Sequence, residues 1–193
     1  MKPLALDNLA ATALVFGPLV GSVLAESRRF SGDLRRRYTD RTYRELQAWQ
    51  LAGLLLGVLF AARTRGAALP GSQWLWVMLG CAVGLVGVTL RWWAIRALGK
   101  QFTRNLQVGA DHELVVAGPY RYIRHPSYTG AILTLAGVGL GLANALSLTI
   151  CLALPTIGYI RRIPHEEALL EGEFGKSYSE YAHRTRRLLP GVY

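Results

Sequence analysis

Gly118-Pro-Tyr-Arg-Tyr-Ile-Arg-His125-Pro-Ser-Tyr-Thr-Gly130 is a dense run of polar and aromatic residues between long apolar segments. The apolar segment after it, residues 129–160, has no charged residue in 32 positions. A second polar run, Arg161-Arg-Ile-Pro-His-Glu-Glu167, follows that segment. Polar and ionisable side chains are costly beside lipid unless they line a site. We therefore predict that these runs, the first and second polar clusters, fold against each other at the membrane surface and form a cofactor site.

The apolar segments around the first polar cluster determine the fold class. The chain has 193 residues, 51% hydrophobic and 18% charged, and apolar residues gathered into long blocks are typical of membrane helices. One helix over residues 129–160 would be about 48 Å long, well beyond the ~30 Å of a hydrocarbon core. We therefore predict a hairpin of two helices, at 128–142 and 146–160. The predicted turning residues are Gly137, Gly139, Gly141 and Asn144.

The predicted fold is an all-α polytopic membrane protein with about five transmembrane helices, the short C-terminal hairpin included. Apolar residues at helical spacing after the hairpin predict a cytoplasmic amphipathic helix that covers the site. We expect two parts: residues 1–100, with about three spans and a basic cytoplasmic loop at 26–45, and a core at 101–193. The apolar residues of the amphipathic helix are Leu169, Leu170, Phe174, Tyr178 and Tyr181.

The formal net charge of +10 has its source in arginines that flank the apolar blocks. This placement favours contact with the lipid bilayer over nucleic-acid binding. Counted loop by loop, 19 of the 22 Lys and Arg fall on one side of the membrane, and Lys2, Arg63 and Arg65 fall on the other. Because the basic side is cytoplasmic, we predict an outside N-terminus and cytoplasmic polar clusters. The excess of arginine over lysine, together with many Ala, Gly and Leu residues, is typical of a GC-rich prokaryote, so the predicted location is the bacterial inner membrane.

The second polar cluster and its neighbours leave several readings open. Glu166 and Glu167 fit the first turn of a helix, and a carboxylate also accepts both hydrogen bonds of a ribose diol. Arg162 fits an interfacial arginine, or a clamp on a substrate carboxylate. His125-Pro126 fits a helix start, although the crowding of polar side chains around it favours a site. The cysteines, Cys81 and Cys151, lie in apolar blocks without metal-ligand spacing, and no metal ion is predicted.

The C-terminal half closely resembles the isoprenylcysteine carboxyl methyltransferase family, over about residues 101–190. Membrane phospholipid and thiol methyltransferases are similar in the same region. The resemblance rests on separate motifs that agree in residue and spacing. These are His112-Glu113-Leu114-Val115, Gly118-Pro119-Tyr120, residues 124–130, residues 162–170, Phe174-Gly175, Tyr178 and Tyr181.

This resemblance implies an S-adenosyl-L-methionine-dependent methyl transfer to a lipophilic acceptor, most simply the carboxylate of an isoprenylcysteine-like substrate. It implies that Arg162 contacts the substrate carboxylate, and the predicted catalytic residues are Arg162, Tyr128 and Arg124. Asn105 and Gln107 both fit an upstream position that contacts the cofactor, and the choice between them stays open. The other predicted cofactor residues are His112, Glu113, Leu114, Val115, Tyr120, His125, Pro126, Ser127, Tyr128, Glu166 and Glu167.

Three alternatives to carboxyl methylation remain at this point. A phospholipid N-methyltransferase or a thiol S-methyltransferase would use the same cofactor site. Sterol reductases, which use NADPH, share a related C-terminal Arg-His-Pro segment but need more helices than this chain provides. A membrane subunit without catalytic activity would explain the basic loops and would leave the Tyr, His and Glu residues of the polar clusters without a purpose.

Overall fold

The computed structural model of the protein describes residues 3–27, 41–99 and 114–189. These residues form seven α-helices, and within them the only β-structure is two isolated bridges. The predicted all-α class is confirmed. The helices are α1 (Leu4–Asp7), α2 (Leu9–Ser27), α3 (Arg41–Arg63), α4 (Gln73–Leu98), α5 (Pro126–Gly141), α6 (Ala145–Phe174) and α7 (Lys176–Arg184).

Three of these helices, α3, α4 and α6, are long and apolar enough to cross a membrane, and α2 contains a shorter apolar stretch, Leu9–Leu24. The leucines on the outer faces of α3 and α4 are exposed, as expected for surfaces that meet lipid tails. The protein is therefore an integral membrane protein by the length and composition of its helices. The count of five spans stays a prediction.

Helix α5 is the centre of the bundle, since twelve of its sixteen residues are buried. It lies very close to α4, because a Cβ added at Gly80 would come within 2.5 Å of the Gly137 carbonyl oxygen. A Cβ at Gly87 would come within 2.6 Å of the Gly130 carbonyl oxygen. Glycines at both surfaces thus allow backbone-to-backbone packing of the two helices.

The turn after α5 lies at residues 142–144, which corrects one prediction. Gly137, Gly139 and Gly141 are helical residues that provide close packing, and they do not turn the chain. The reversal falls instead on Ala143, whose φ is +51°, and on Asn144. The Asn144 side chain accepts a hydrogen bond from the Ser147 amide and so caps α6. The hairpin and the role of Asn144 in its turn are confirmed.

Helix α6 is longer than predicted, and the expected end at Ile160 is wrong. The helix continues through Pro164 to Phe174. A proline removes one backbone hydrogen bond, but Arg162 and Glu166, on either side of Pro164, are both fixed by contacts to α5. These contacts hold one continuous helix. The chain breaks only at Gly175, whose φ of +50° suits glycine, and α7 follows.

The helices define two ends of the bundle. At the turn end, the Leu4 amide donates to the Gln73 side chain, and Asn144 donates to the Thr64 carbonyl. At the site end, the start of α3, the first polar cluster, the second polar cluster and the C-terminal segment meet. Both polar clusters therefore lie at the same end, as the sequence predicts.

Candidate active site

The centre of the candidate site is the hydroxyl of Tyr128, in the first turn of α5. It donates a hydrogen bond of 2.5 Å to Glu166 Oε2 and accepts one of 3.0 Å from Arg162 Nε. Arg162 and Glu166 are four residues apart on α6, so their side chains share one face of that helix. The phenol thus joins a cation and an anion, and the two polar clusters fold against each other as predicted.

His125 lies just before α5, at the N-cap position, but its side chain makes no capping hydrogen bond. Pro126, with its fixed φ, occupies the first position of the helix. The imidazole is 4% exposed and stacks on the Tyr128 ring, with centroids 5.3 Å apart. Its Nδ1 is 3.7 Å from Glu166 Oε2 and its Nε2 is 3.4 Å from Glu167 Oε1. The ring therefore lies between the two carboxylates.

Glu167 is surrounded by arginines from two other segments. Arg124 Nε donates to Oε1 at 2.8 Å, and Arg187 Nη2 donates to Oε2 at 2.7 Å. Arg124 also donates to the carbonyls of Ala182 and Thr185. These ion pairs and hydrogen bonds fasten the first polar cluster to α6 and to the C-terminal segment.

Arg162 has a second set of contacts, at the start of α3. Its Nη1 donates to Thr42 Oγ1 at 2.9 Å, and its guanidinium lies 5.6 Å from the centre of the Tyr43 ring. The side chain is buried, with 4% of the residue exposed. The Arg162 guanidinium is therefore contacted by three residues inside the protein. It does not extend to the membrane surface as a snorkelling residue would.

Three tyrosines line the side of the site that faces α7. The Tyr181 hydroxyl donates to the Tyr120 carbonyl at 2.8 Å and so fixes α7 over the first polar cluster. Burial raises the pKa of Tyr181 to about 12. Burial, and then the charge of Glu166, raise the pKa of Tyr120 well above its ordinary value. Burial and the charge of Glu167 raise the pKa of Tyr178 in the same way. All three phenols therefore stay protonated at neutral pH.

The structure describes most, but not all, of the predicted site residues. Tyr128, His125, Glu166, Glu167, Arg124 and Arg162 are brought together. Tyr120 is buried in a 3₁₀ turn, Gly118–Arg121, beside them. Ser127 is buried and its carbonyl accepts from Arg91, while Leu114 and Val115 are half-buried in the segment before the turn. Asn105, Gln107, His112 and Glu113 lie outside the described residues.

The sequence reasoning missed several residues that contact the site. For Arg187 the sequence offers only one signal, a basic residue near its C-terminal end, and this signal fits an interfacial charge equally well. Thr42 and Tyr43 have no signal, because nothing in the sequence places the start of α3 against Arg162. Only the packing of α3 along α6 brings them there, through residues such as Gly158, where a Cβ would come within 2.8 Å of Trp49 Cβ.

Comparison with known proteins confirms the family resemblance. The model of the isoprenylcysteine carboxyl methyltransferase (ICMT) family matches residues 78–172. A protein-S-isoprenylcysteine O-methyltransferase B from Arabidopsis thaliana is 34% identical over 127 residues, or 64% of each chain. A probable protein-S-isoprenylcysteine O-methyltransferase from Oryza sativa subsp. indica is 31% identical over 62% of this chain and 63% of its own. The matched region spans less than two thirds of each relative's length.

A solved structure supports the same fold. It is described as the eukaryotic intramembrane Ras methyltransferase ICMT. It matches 94% of this chain and 64% of its own chain, with a TM-score of 0.61 and 23% sequence identity. The similarity therefore extends beyond the segment that the family model matches and includes the helices of the N-terminal half.

Proposed function

We propose that this chain, whose residues 78–172 belong to the isoprenylcysteine carboxyl methyltransferase family, methylates the carboxylate of a lipophilic, isoprenylcysteine-like acceptor. The methyl donor that we propose is S-adenosyl-L-methionine. The residues at 101–193 would form the catalytic core, and those at 1–100 the helices that embed it in the membrane. The proposed location is the bacterial inner membrane, with the site at its cytoplasmic face.

The observation that carries this proposal is the difference between the two adjacent glutamates. Both oxygens of Glu167 are engaged by arginines. Glu166 accepts from Tyr128 through Oε2, and its Oε1 makes no hydrogen bond within the described part of the chain. The Glu166 side chain is also more exposed, at 30% against 13%. A carboxylate with a free oxygen at the edge of a buried polar cluster suits a ribose diol, so the residues present fit the nucleoside of the cofactor.

The acceptor would bind at Arg162, one helical turn from Glu166. Arginine suits a planar carboxylate because its guanidinium presents parallel N–H donors. The contact that Arg162 Nη1 makes with Thr42 is a hydrogen bond to an uncharged hydroxyl, and a charged carboxylate competes well with a hydroxyl for the guanidinium. Tyr128 holds Nε of the same guanidinium, which fixes the direction in which the fork points.

The mechanism needs alignment more than proton transfer. S-adenosylmethionine supplies a methyl group on a sulfonium, which is electrophilic. Because a substrate carboxylate is ionised at neutral pH, the chain does not have to provide a general base. Arg162 would orient the acceptor and Glu166 the donor, and Tyr128 fixes the spacing between these two side chains. The buried surroundings exclude water, which would otherwise solvate the carboxylate or compete with it for the methyl group.

Each substrate would reach the site by its own route. The exposed apolar residues of α4 and α6 include Val86, Ile157 and Ile160, and such faces are in contact with lipid tails. A prenyl-like chain would therefore arrive from the side, between helices. The water-soluble cofactor would enter from the cytoplasm, where α7 would act as a lid over the polar clusters.

Cofactor binding by the purified full-length chain in detergent micelles tests the proposal. Isothermal titration with S-adenosylhomocysteine, the demethylated product, should give saturable binding. Glu166→Gln should weaken it by about tenfold to a hundredfold, as expected for a lost hydrogen bond to a charged group. Glu171→Gln removes an exposed carboxylate from the same helix and should bind like the wild type. Absence of binding by the wild type, together with binding of NADPH, would overturn the proposal.

The acceptor class is tested with labelled cofactor. An S-farnesylcysteine derivative with a free carboxylate should accept the methyl group, and the label should then be released as methanol by mild base, because a methyl ester is base-labile. Phosphatidylethanolamine and a small aliphatic thiol are the comparison acceptors. Transfer to either of them, in place of the carboxylate, would indicate an N- or S-methyltransferase.

A further inference from the structure

The Tyr178 hydroxyl is buried without a hydrogen-bond partner among the residues that the structure describes. The residue is 3% exposed, and the hydroxyl oxygen has no hydrogen-bond partner within residues 3–27, 41–99 and 114–189. Leaving a buried polar group unpaired destabilises the folded protein, and folded proteins retain few such groups. Phenylalanine at this position would fill almost the same space without burying an unpaired hydroxyl.

The surroundings of Tyr178 are those of the candidate site. Its ring packs edge-on against Tyr181, with centroids 6.2 Å apart, and Tyr181 is bonded to the first polar cluster. The charges that act on the Tyr178 phenol belong to Glu167, Arg124 and Glu166. These are the glutamates of the second polar cluster and the arginine that holds one of them. Tyr178 therefore lies in the α7 wall of the site.

Two of the charged groups around Tyr178, Glu167 and Arg124, already have several partners of their own. Glu167 is engaged by Arg124 and Arg187, and Arg124 is further bonded to backbone carbonyls. The hydroxyl is thus a protonated donor in a polar region whose other groups do not use it. A group in this condition is suited to a ligand that brings its own acceptor.

We infer that the Tyr178 hydroxyl donates a hydrogen bond to the bound nucleoside cofactor, which makes Tyr178 a further cofactor-binding residue on α7. This inference rests on the proposed function. Under this inference, α7 contacts the ligand directly and also covers the site. The bond would form only when the cofactor is present, so binding of the cofactor would fasten α7 in place.

The test compares Tyr178→Phe with Tyr181→Phe in the full-length chain. Two quantities are measured in the same detergent: the dissociation constant for S-adenosylhomocysteine, and the thermal midpoint without ligand. For Tyr178→Phe we expect about a tenfold weaker affinity, the effect of one lost hydrogen bond, and an equal or higher thermal midpoint. The rise follows because the variant no longer buries an unpaired hydroxyl. A purely structural role would not give this combination of weaker binding and retained stability.

Tyr181→Phe is the matched control, because its hydroxyl has a partner in the protein. That variant should lower the midpoint without ligand, since the Tyr120 carbonyl loses its donor. If wild type and Tyr178→Phe bind S-adenosylhomocysteine equally, the inference is overturned and the proposed function stands. If Tyr178→Phe lowers the midpoint as Tyr181→Phe does, the hydroxyl is structural and the inference is again overturned. If the wild type does not bind the ligand at all, both fail.

A second ligand locates the contact. 5′-Methylthioadenosine retains the adenine and ribose but lacks the amino acid portion of the cofactor. If Tyr178→Phe weakens both ligands equally, the hydroxyl contacts the nucleoside, as we infer. If it weakens S-adenosylhomocysteine alone, the contact is with the amino acid portion and the nucleoside assignment is overturned.

Discussion

Arg162 shows how one buried side chain is prepared for an anion. Its guanidinium is held by a phenol from α5, a hydroxyl from α3 and the face of an aromatic ring. A fork that is fixed in this way loses little conformational freedom when a carboxylate arrives. The neighbouring Arg161 is exposed. Of these two adjacent arginines, Arg162 is therefore buried in the site and Arg161 lies at the surface.

Arg162→Lys should separate acceptor binding from cofactor binding. Lysine retains the positive charge but cannot hold Tyr128, Thr42 and a carboxylate at once through a planar fork. The KM for the carboxylate acceptor should rise by about tenfold or more, while the dissociation constant for S-adenosylhomocysteine should change little. Steady-state methyl transfer and isothermal titration measure the two effects.

Arg161→Lys is the control for this substitution, because it makes the same chemical change at an exposed position one residue away. It should leave both quantities unchanged. A wild-type KM in Arg162→Lys would show that the acceptor does not rely on the Arg162 fork.

Glu167 is expected to matter for stability more than for binding. Its loss would leave Arg124, 11% exposed, without its carboxylate, and would remove the ion pair by which Arg187 ties the C-terminal segment to α6. Breaking a largely buried ion pair costs about 3 kcal/mol or more, so Glu167→Gln should lower the thermal midpoint by several degrees. Glu166→Gln should leave the midpoint close to that of the wild type. Thermal unfolding in detergent, followed by circular dichroism, compares the two variants, and equal midpoints would contradict the division of roles.

At the scale of elements, the glycines of α4 and α5 set the geometry on which the site depends. Helix α5 begins with the site residues and continues directly into the glycine contacts with α4. A shift of α5 along α4 would move Tyr128 away from Arg162 and Glu166, which are fixed on α6. The close packing at Gly80 and Gly87 therefore determines the position of the phenol.

Gly80→Ala tests this dependence. The new Cβ would lie within 2.5 Å of both the Gly137 carbonyl oxygen and the Gly141 amide nitrogen, and backbone atoms cannot yield as a flexible side chain can. We expect a loss of about 1–3 kcal/mol in stability, the usual cost of overpacking. Gly21→Ala is the control: a Cβ there meets nothing within 4 Å and should stabilise α2 by about 1 kcal/mol. Thermal midpoints that move in the same direction for both variants would contradict the packing argument.

The elements also show what the sequence could and could not predict. The hairpin was predictable because an apolar segment of 32 residues exceeds the membrane thickness. The turn was misplaced because glycine permits both reversal and close packing, and only the partner helix decides which one applies. The length of α6 was missed because Pro164 is a local signal, and the contacts of Arg162 and Glu166 that override it are long-range.

The site was predicted in the same uneven way. Tyr128, Glu166 and Arg162 were predicted as members of recognisable motifs, and their meeting was expected. Their bonding pattern was not, since the phenol that joins Glu166 to Arg162 depends on the register of α5 against α6. Thr42 belongs to a segment with no motif, so its contact with Arg162 could be found only from the structure.

At the scale of the whole molecule, the basic residues are divided unequally between the two ends of the bundle. The turn end includes Leu4, the segment from Thr64 to Gln73 and the residues around Asn144, and Arg63 and Arg65 are close to it in sequence. The site end includes Arg124, Arg162 and Arg187. An asymmetry of this kind in the basic residues orients membrane proteins with the basic end in the cytoplasm. The positions of both polar clusters at one end agree with the loop count made from the sequence.

The orientation that follows is testable with single cysteines in intact cells. Ser72, at the turn end, and Tyr122, 61% exposed at the site end, are changed to Cys in separate variants. A membrane-impermeant maleimide should label Ser72→Cys in intact cells, because the positive-inside rule puts that end outside. Tyr122→Cys should be labelled only after the membrane is permeabilised. The wild-type chain measures the background from Cys81 and Cys151, of which Cys151 is buried. Labelling of Tyr122→Cys in intact cells would place the candidate site outside, where a cytoplasmic cofactor does not reach it.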